Sequence, residues 1–479
     1  MTNDARFRNL SPIDHRYYLA NTELFEELAD YISEEAVVDQ CVRVEAALLK
    51  QVIHHLLPDD PRRDEYGAAA DALPERVQAA EVYAEEETTR HNIRAIVNVI
   101  QRHVPREIAH LVHLGATSVD ILDTAAAIRY RDVTRRVVLP LLMRLQDELI
   151  RLTEAEADTV SIGRTHGQFA VPITVGFALA EYVSRLGSSI REIVDRTTGL
   201  RGKLAGAVGA YNATSVLHPD PEQLEADVLS ELDVQAGEHA TQIVSPEPLL
   251  RLLLEMNTAF GVIANLADDL RHLQRSEIGE FSEYFAAGQV GSSTMPHKRN
   301  PWNAEHVKSL WKAFSPRAMT WFMDQISEHQ RDLSNSASGR FVGEFIAGFV
   351  AAAERMRQIL QRLRVDREGI ARNLDAGARR VMAEPLYILL AAAGVGDAHE
   401  QVRQATLTAD DEGVPVLDVV RRDGQLWETV TATYRRLTGA DPEQFFKDPA
   451  MYTGRAAARA RRVAVTHRAY LATLREQQW

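Results

Sequence analysis

Eleven consecutive residues, Gly291-Ser-Ser-Thr-Met-Pro-His-Lys-Arg-Asn-Pro301, join a glycine, adjacent hydroxyls, a proline-fixed turn and neighbouring cations just ahead of a helix start. Backbone N–H groups, hydroxyls and Lys298 beside a helix N-terminus suit a carboxylate or a phosphate. Such a segment can also order over a ligand and exclude water. A solvated polar loop is the plainer reading of any one such segment, but this composition is far more particular than a lone glycine-rich motif. His166, in Arg164-Thr-His-Gly167, is a second candidate, because histidine titrates closest to neutral pH and commonly carries a proton to a leaving group. An isolated histidine, however, is more often a satisfied core residue. His54-His55 and the pair His110/His113 have no acidic ligands close in sequence, so no metal is expected. No Walker-type or dinucleotide-binding glycine loop follows a predicted strand, so no cofactor is implied.

Long helices must position these groups. Apolar residues recur four and three apart at Val138, Leu142, Leu145, Leu149 and Leu152, and again at Leu249, Leu253, Met256, Phe260, Ile263, Ala267 and Leu270. Phe345, Phe349, Ala352, Met356, Ile359 and Leu363 form a third seam, and Leu179 to Ile193 a broader one. This spacing keeps one stripe facing a neighbour along nearly parallel helices, which is bundle geometry. Leu57-Pro-Asp-Asp-Pro-Arg-Arg-Asp64 reads as a loop within an N-terminal helical region, and Gly199 to Pro221 as a non-helical excursion. Residues 282–301 read as a long loop, of the kind that often carries function. The expected fold is mainly α: an N-terminal helical domain over 1–112, a central long-helix bundle with the loop over 113–365, and a C-terminal helical domain over 366–479.

The 54 Lys+Arg against 68 Asp+Glu give a net charge of −14, which argues against a nucleic-acid or membrane-surface binder. A small anionic substrate stays open, since it answers to the local field of a cleft. Cys41 is the single cysteine, so no internal disulfide is expected. The longest apolar run, Pro385 to Gly396, falls short of the ~18–20 residues of a membrane span. No apolar stretch follows Met1, and a cytoplasmic protein is expected.

The 291–301 string resembles the signature loop of the fumarase/aspartase superfamily. His113-Leu-Gly-Ala-Thr-Ser-Val-Asp-Ile-Leu-Asp-Thr-Ala125 and Gly163-Arg-Thr-His-Gly-Gln168 resemble its other two signature regions, in the same order. Within that superfamily, Ser11-Pro-Ile-Asp-His-Arg-Tyr17, Glu87-Thr-Thr-Arg-His-Asn92, Gly206-Ala-Val-Gly-Ala-Tyr-Asn212, Thr241-Gln-Ile243 and the stretch from Gln330 to Arg340 resemble the adenylosuccinate lyase family. That family carries Gly where this chain has His15 and Asp where it has Asn92.

The resemblance implies β-elimination of fumarate from succinyl-amino nucleotides, in a homotetramer whose active sites draw on three subunits. It assigns Ser292 as the base and Lys298 as stabiliser of the doubly charged carboxylate intermediate. His166 becomes the acid for the leaving amine, and Glu305 its partner. Ser293, Asn300, Thr117, Ser118 and Gln242 would hold the succinyl group; Arg90, His91 and Asn92 line the same site. Arg16, Tyr17, Arg331, Ser336 and Arg340 would take the 5′-phosphate, for which arginine is suited through its paired N–H donors. Asn92 favours an alternative, a superfamily lyase or cycloisomerase acting on a smaller di- or tricarboxylate. A scaffold that has lost catalysis is a further alternative, which the joint presence of Ser292, Lys298, His166 and Glu305 opposes.

Overall fold

The seam from Leu249 to Leu270 lies on one unbroken helix, Glu247–Leu273. A computed structural model describes residues 7–286, 288 and 291–477; Ala287, Gln289 and Val290, within the expected 282–301 loop, lie outside the described residues. Along the seam Leu253, Met256, Phe260, Ile263 and Ala267 are buried. The helix packs on Val175–Thr197 on one side and on Trp302–Phe314 and Val342–Gln361 on the other. Val342–Gln361 closes onto Leu139–Ala155, which returns to Val175–Thr197. The helices thus form a closed bundle, with Phe260 against Phe349 at its centre, ring centroids 5.4 Å apart. Each large side chain removed from water there contributes about 1.5–3 kcal/mol.

By length and composition, Glu247–Leu273 would suffice to cross a bilayer. This differs from the expectation, which counted uninterrupted apolar runs. Arg251 and Glu255 break the run without touching the seam, and the seam is spent on the bundle core.

The helix Ser118–Val133 runs into Leu139–Ala155 through one π-helical turn, Thr134–Val138, in which Leu139 N–H reaches the Thr134 carbonyl. Pro140 gives the cause: it has no N–H for the carbonyl four residues back, so the helix widens by one residue rather than break. Glu34–Leu56 lies along Ser118–Val133, and Leu48, Leu49, Ile53, Ile93 and Ile100 join the same core. A separate apolar core, including Leu386, Leu390, Val402, Val416 and Phe446, holds the short helices after 382. The last helix, Ala456–Glu476, turns back onto Leu139–Ala155 and Val175–Thr197.

Strands among the described residues are few. Val160–Thr165 and Gln168–Thr174 form an antiparallel hairpin, Arg201–Gly202 pairs in parallel with Gln235–Ala236, and Phe281–Ser282 pairs antiparallel with Arg364–Val365.

Candidate active site

Both ends of the 291–301 loop are pinned to one another. Glu283, leading in, caps the helix leading out: its carboxylate accepts from Ala304 N–H at 2.8 Å and from the Asn303 side-chain amide at 2.7 Å. An anion at a helix N-terminus satisfies open N–H groups and opposes the helix dipole favourably. Burial nonetheless raises the Glu283 carboxyl above its ordinary value, outweighing these donors. Farther in, Asn300 Nδ2 donates to the Gly291 carbonyl at 2.9 Å. Gly291 has no room for a side chain, since a Cβ there would meet Lys298 O at 2.2 Å. The loop so closed aims two amides at one hydroxyl: Met295 N–H at 3.1 Å and Thr294 N–H at 3.4 Å both donate to Ser292 Oγ. Donors directed at an oxygen favour its negative form, which is what a serine base requires. Ser293 and Lys298 are exposed, and Glu305 is exposed in the first turn of Trp302–Phe314.

His166 occupies the tip of the hairpin, where Thr165 pairs with Gln168. His166 and Gly167 have φ of 54° and 74°, the two left-handed residues of a tight hairpin turn. A histidine in that conformation stores roughly 1 kcal/mol of strain, and its imidazole is exposed. Two residues earlier, Arg164 forks onto buried Glu280 at 2.6 and 3.1 Å, and Asn373 adds a 2.8 Å bond to the same carboxylate. Glu280 directly precedes the strand that enters the 291–301 loop, so hairpin and loop share one anchor.

Thr117 and Ser118 open the Ser118–Val133 helix, whose first N–H groups can receive a carboxylate. Asp120 accepts Thr117 N–H at 2.8 Å and is held in turn by the fully buried Lys203 ammonium and by Gly206 N–H at 3.3 Å. One residue short of a full turn further, Asp123 accepts Val244 N–H at 2.9 Å. Burial pushes its carboxyl up to about 6. Gln242 N–H donates to Gln330 O at 3.0 Å, which brings Arg331 to the same place. Arg331 has a φ of 128° and donates to Asp324 O at 3.4 Å. Ser336 and Arg340, exposed on the short helix Ser336–Arg340, are joined to Ser118–Val133 by the Tyr130 hydroxyl, which donates to Gly339 O at 3.4 Å.

Arg90, with φ of 54°, ends one helix, and His91 caps the next: its Nδ1 accepts Arg94 N–H at 3.2 Å. Nε2 is thereby left as the ring nitrogen that can face a ligand. Asn92 Oδ1 accepts Ile93 N–H at 2.8 Å. The positive charge of Arg340 acts on Tyr83, in the helix that Arg90 ends. Tyr17 Oη meets His306 Nε2 at 3.1 Å with the rings stacked, and burial followed by Arg355 and Arg16 holds His306 below its ordinary range. Arg16 and Tyr17 therefore sit at the Trp302–Phe314 helix, against His306, the residue that follows Glu305.

Among the described residues, no hydrogen bond or ion pair joins Ser292, Lys298, His166 and Glu305 to one another within the chain; the bonds of Ser292 are those to Thr294 and Met295. Eight non-glycine residues described have clearly positive φ, and Arg90, His113, His166 and Arg331 are four of them. Strain of this kind gathers where function over-determines the backbone. The sequence reading did not single out Glu280, Glu283, Lys203, Asp120 or Asp123 as site residues. Nor did it find Glu45, whose carboxylate lies 2.6 Å from His113 Nδ1. Burial alone would lower His113, but Glu45 raises it above its usual value.

A family model described as Lyase matches residues 16–312, and one described as Adenylosuccinate lyase C-terminal matches residues 327–442, the segment that carries Arg331, Ser336 and Arg340. The adenylosuccinate lyase of Pyrococcus abyssi is 34% identical over 91% of this chain and 94% of its own length. The chain belongs to the adenylosuccinate lyase family. The family member from Archaeoglobus fulgidus is 32% identical over 86% of this chain and 90% of its own, and that from Bacillus subtilis 28% over 71% and 78%. Among solved structures, the 3-carboxy-cis,cis-muconate lactonizing enzyme of Pseudomonas putida superposes with a TM-score of 0.77 at 24% identity, covering 92% of this chain and 97% of that one. A fumarate lyase from Mesorhizobium gives 0.76 at 20%, covering 93% and 97%. These two likenesses establish the shared fumarase/aspartase fold.

Proposed function

We propose that this chain eliminates fumarate from succinyl-amino nucleotides, converting adenylosuccinate to AMP and the succinyl-carboxamide imidazole ribotide of purine biosynthesis to its aminoimidazole carboxamide. The observation that carries the reading is the Ser292 oxygen under two amide donors in a loop closed at both ends. Ser292 takes the proton from the carbon beside the β-carboxylate, and the electron pair of that C–H bond moves into the carboxylate. Lys298 and the helix start at Thr117–Ser118 receive the added charge. The C–N bond then breaks as the pair returns to form the fumarate double bond, and His166 protonates the departing amine. Arg331, Ser336 and Arg340, with Arg16 and Tyr17, suit the 5′-phosphate.

That no bond joins His166 to Ser292 or Glu305 among the described residues of one chain supports active sites shared between subunits of a homotetramer. Exposed Phe322, Met323, Ile326, Leu333 and Phe341 support burial of that region against another copy. We place the enzyme in the cytoplasm, and retain the division at about residues 112 and 365. Asn92 favours a second reading, a smaller polycarboxylate substrate, because an amide brings no negative charge beside His91. Fumarate release from adenylosuccinate and from the imidazole ribotide, set against lactonisation of 3-carboxymuconate followed by loss of its diene absorbance, separates the two. The Ser292→Ala variant should lose at least about 100-fold in turnover with its oligomeric state intact. Undiminished turnover would reject the base.

A further inference from the structure

Away from every residue assigned to the reaction, a cavity of about 720 Å³ opens beside the π-helical turn, lined by Arg131, Arg135 and Arg201. Its volume is in the range of small-molecule sites and exceeds the space one inorganic phosphate needs. We propose that this cavity binds a phosphate-bearing small anion.

The argument rests on how the three guanidinium groups are left. The Arg135 side chain makes no hydrogen bond or ion pair among the described residues, and its Nε is sealed from solvent without an acceptor. Arginines in this chain otherwise pair with carboxylates many times over, as Arg367 does with Glu156 or Arg468 with Glu154. Arg201 spends Nη1 on two backbone carbonyls, Thr198 O at 2.8 Å and Leu200 O at 3.0 Å, and pairs with no carboxylate among the described residues. Arg131 alone is paired, with Asp132 at 2.7 Å and with Asp233, its side chain 90% exposed, at 3.6 Å, and its Nη1 also donates to the Asp233 carbonyl. Asp233 is the single carboxylate lining the cavity against three cations. Burial and the neighbouring Arg131 both work against the Arg135 charge. Arg135 is half-buried, and a guanidinium whose sealed N–H lacks an acceptor is disfavoured unless an anion completes it. Arginine's planar fork suits a phosphate better than a point-like anion. Geometry adds to this: Arg135 lies within the widened turn Thr134–Val138 and Arg131 just before it, a distortion frequent at functional sites.

Isothermal titration of the full chain with inorganic pyrophosphate, and separately with ADP, tests the site. Three proteins are compared: wild type, Arg340→Ala in the catalytic phosphate set, and the double variant Arg135→Gln, Arg201→Gln. A binding event should survive Arg340→Ala and weaken at least tenfold in the double variant, with fumarate-releasing turnover unchanged. ADP binding more tightly than pyrophosphate would assign a nucleotide, and equal affinities the bare anion; both uphold the site. Binding lost wholly with Arg340→Ala, or unmoved by the double variant, overturns it. A second measurement needs no variant. Pyrophosphate should slow phenylglyoxal modification of Arg135 and Arg201 in the wild type, mapped by peptide mass. Modification unaffected by pyrophosphate, or blocked equally without it because another subunit fills the cavity, overturns the proposal.

Discussion

Replacing Asp123 with asparagine is expected to stabilise the protein at pH 8 and to lose most of that advantage by pH 4.5. The carboxyl is pushed from its ordinary 3.8 to about 6, by burial first; Val244 N–H, Lys203 and Arg331 pull the other way, and Asp120 adds to the rise. Between those two values the folded chain keeps a proton that the unfolded chain has released. The group therefore costs nothing below about pH 3.8, destabilises progressively as pH rises to about 6, and stays unfavourable above. The gap, at ~1.36 kcal/mol per tenfold change in proton concentration, comes to about 3 kcal/mol. Solvent reaches part of the side chain, which reduces the figure to roughly 1–2 kcal/mol. Asparagine keeps an acceptor for Val244 N–H, so the 241–244 segment stays docked. Urea midpoints of both proteins, recorded from pH 4.5 to 8, provide the assay, because other titrating groups cancel in the difference. That difference should be level above about pH 7 and shrink through pH 6 to 4.5. A difference that ignores pH, or a wild type more stable at pH 8, would refute the reasoning.

Three further substitutions probe the site's supports. His166→Gly should keep or raise the thermal midpoint, by up to about 1 kcal/mol in stability, because glycine accepts a φ of 54° without steric cost. Its turnover should fall about 10²–10⁴-fold, and retained activity would remove His166 from proton transfer. Gly291→Ala forces a Cβ to within 2.2 Å of Lys298 O and 2.7 Å of Phe285 Cζ. It should depress kcat while far-ultraviolet circular dichroism and the thermal midpoint hold, and an unchanged kcat would show that the loop can work open. Lys203→Met strands the buried Asp120 carboxylate and should cost about 3–5 kcal/mol, much of it recovered when Asp120→Asn is added. A loss under about 1 kcal/mol, or no recovery in the pair, would contradict the account of that turn.

Periodicity and local motifs were legible in the sequence because both are short-range. The apolar stripes place Glu247–Leu273, Val175–Thr197 and Val342–Gln361 within two to four residues of their ends. The loop up to Pro301 is followed at once by a helix, as read, whereas the hairpin turn that carries His166 was not read from the sequence. What the sequence concealed are buried polar pairs between distant positions. Lys203 and Asp120 lie 83 residues apart, and Arg164 and Glu280 lie 116. Neither partner differs, in its local window, from the many surface lysines, arginines and carboxylates around it. The span-like character of Glu247–Leu273 escaped because isolated charges off the seam hid it from a count of unbroken runs. The widened turn before Pro140 escaped for a different reason: a proline after a helical pattern ordinarily marks a start or a break, and only the packed neighbours reveal that the helix continued.

The returning helix Ala456–Glu476 has a consequence for the order of assembly. Its Ala464, Leu471 and Leu474 belong to the central core, and its Arg468 and Arg475 reach back to Glu154 and Asp147, 314 and 328 residues earlier. During synthesis the bundle therefore waits with one wall missing until this segment has left the ribosome, and its apolar flank stays open to chaperones or to misplaced neighbours for that interval. Ribosomes stalled before residue 456 should hold nascent chains whose central helices remain open to protease attack.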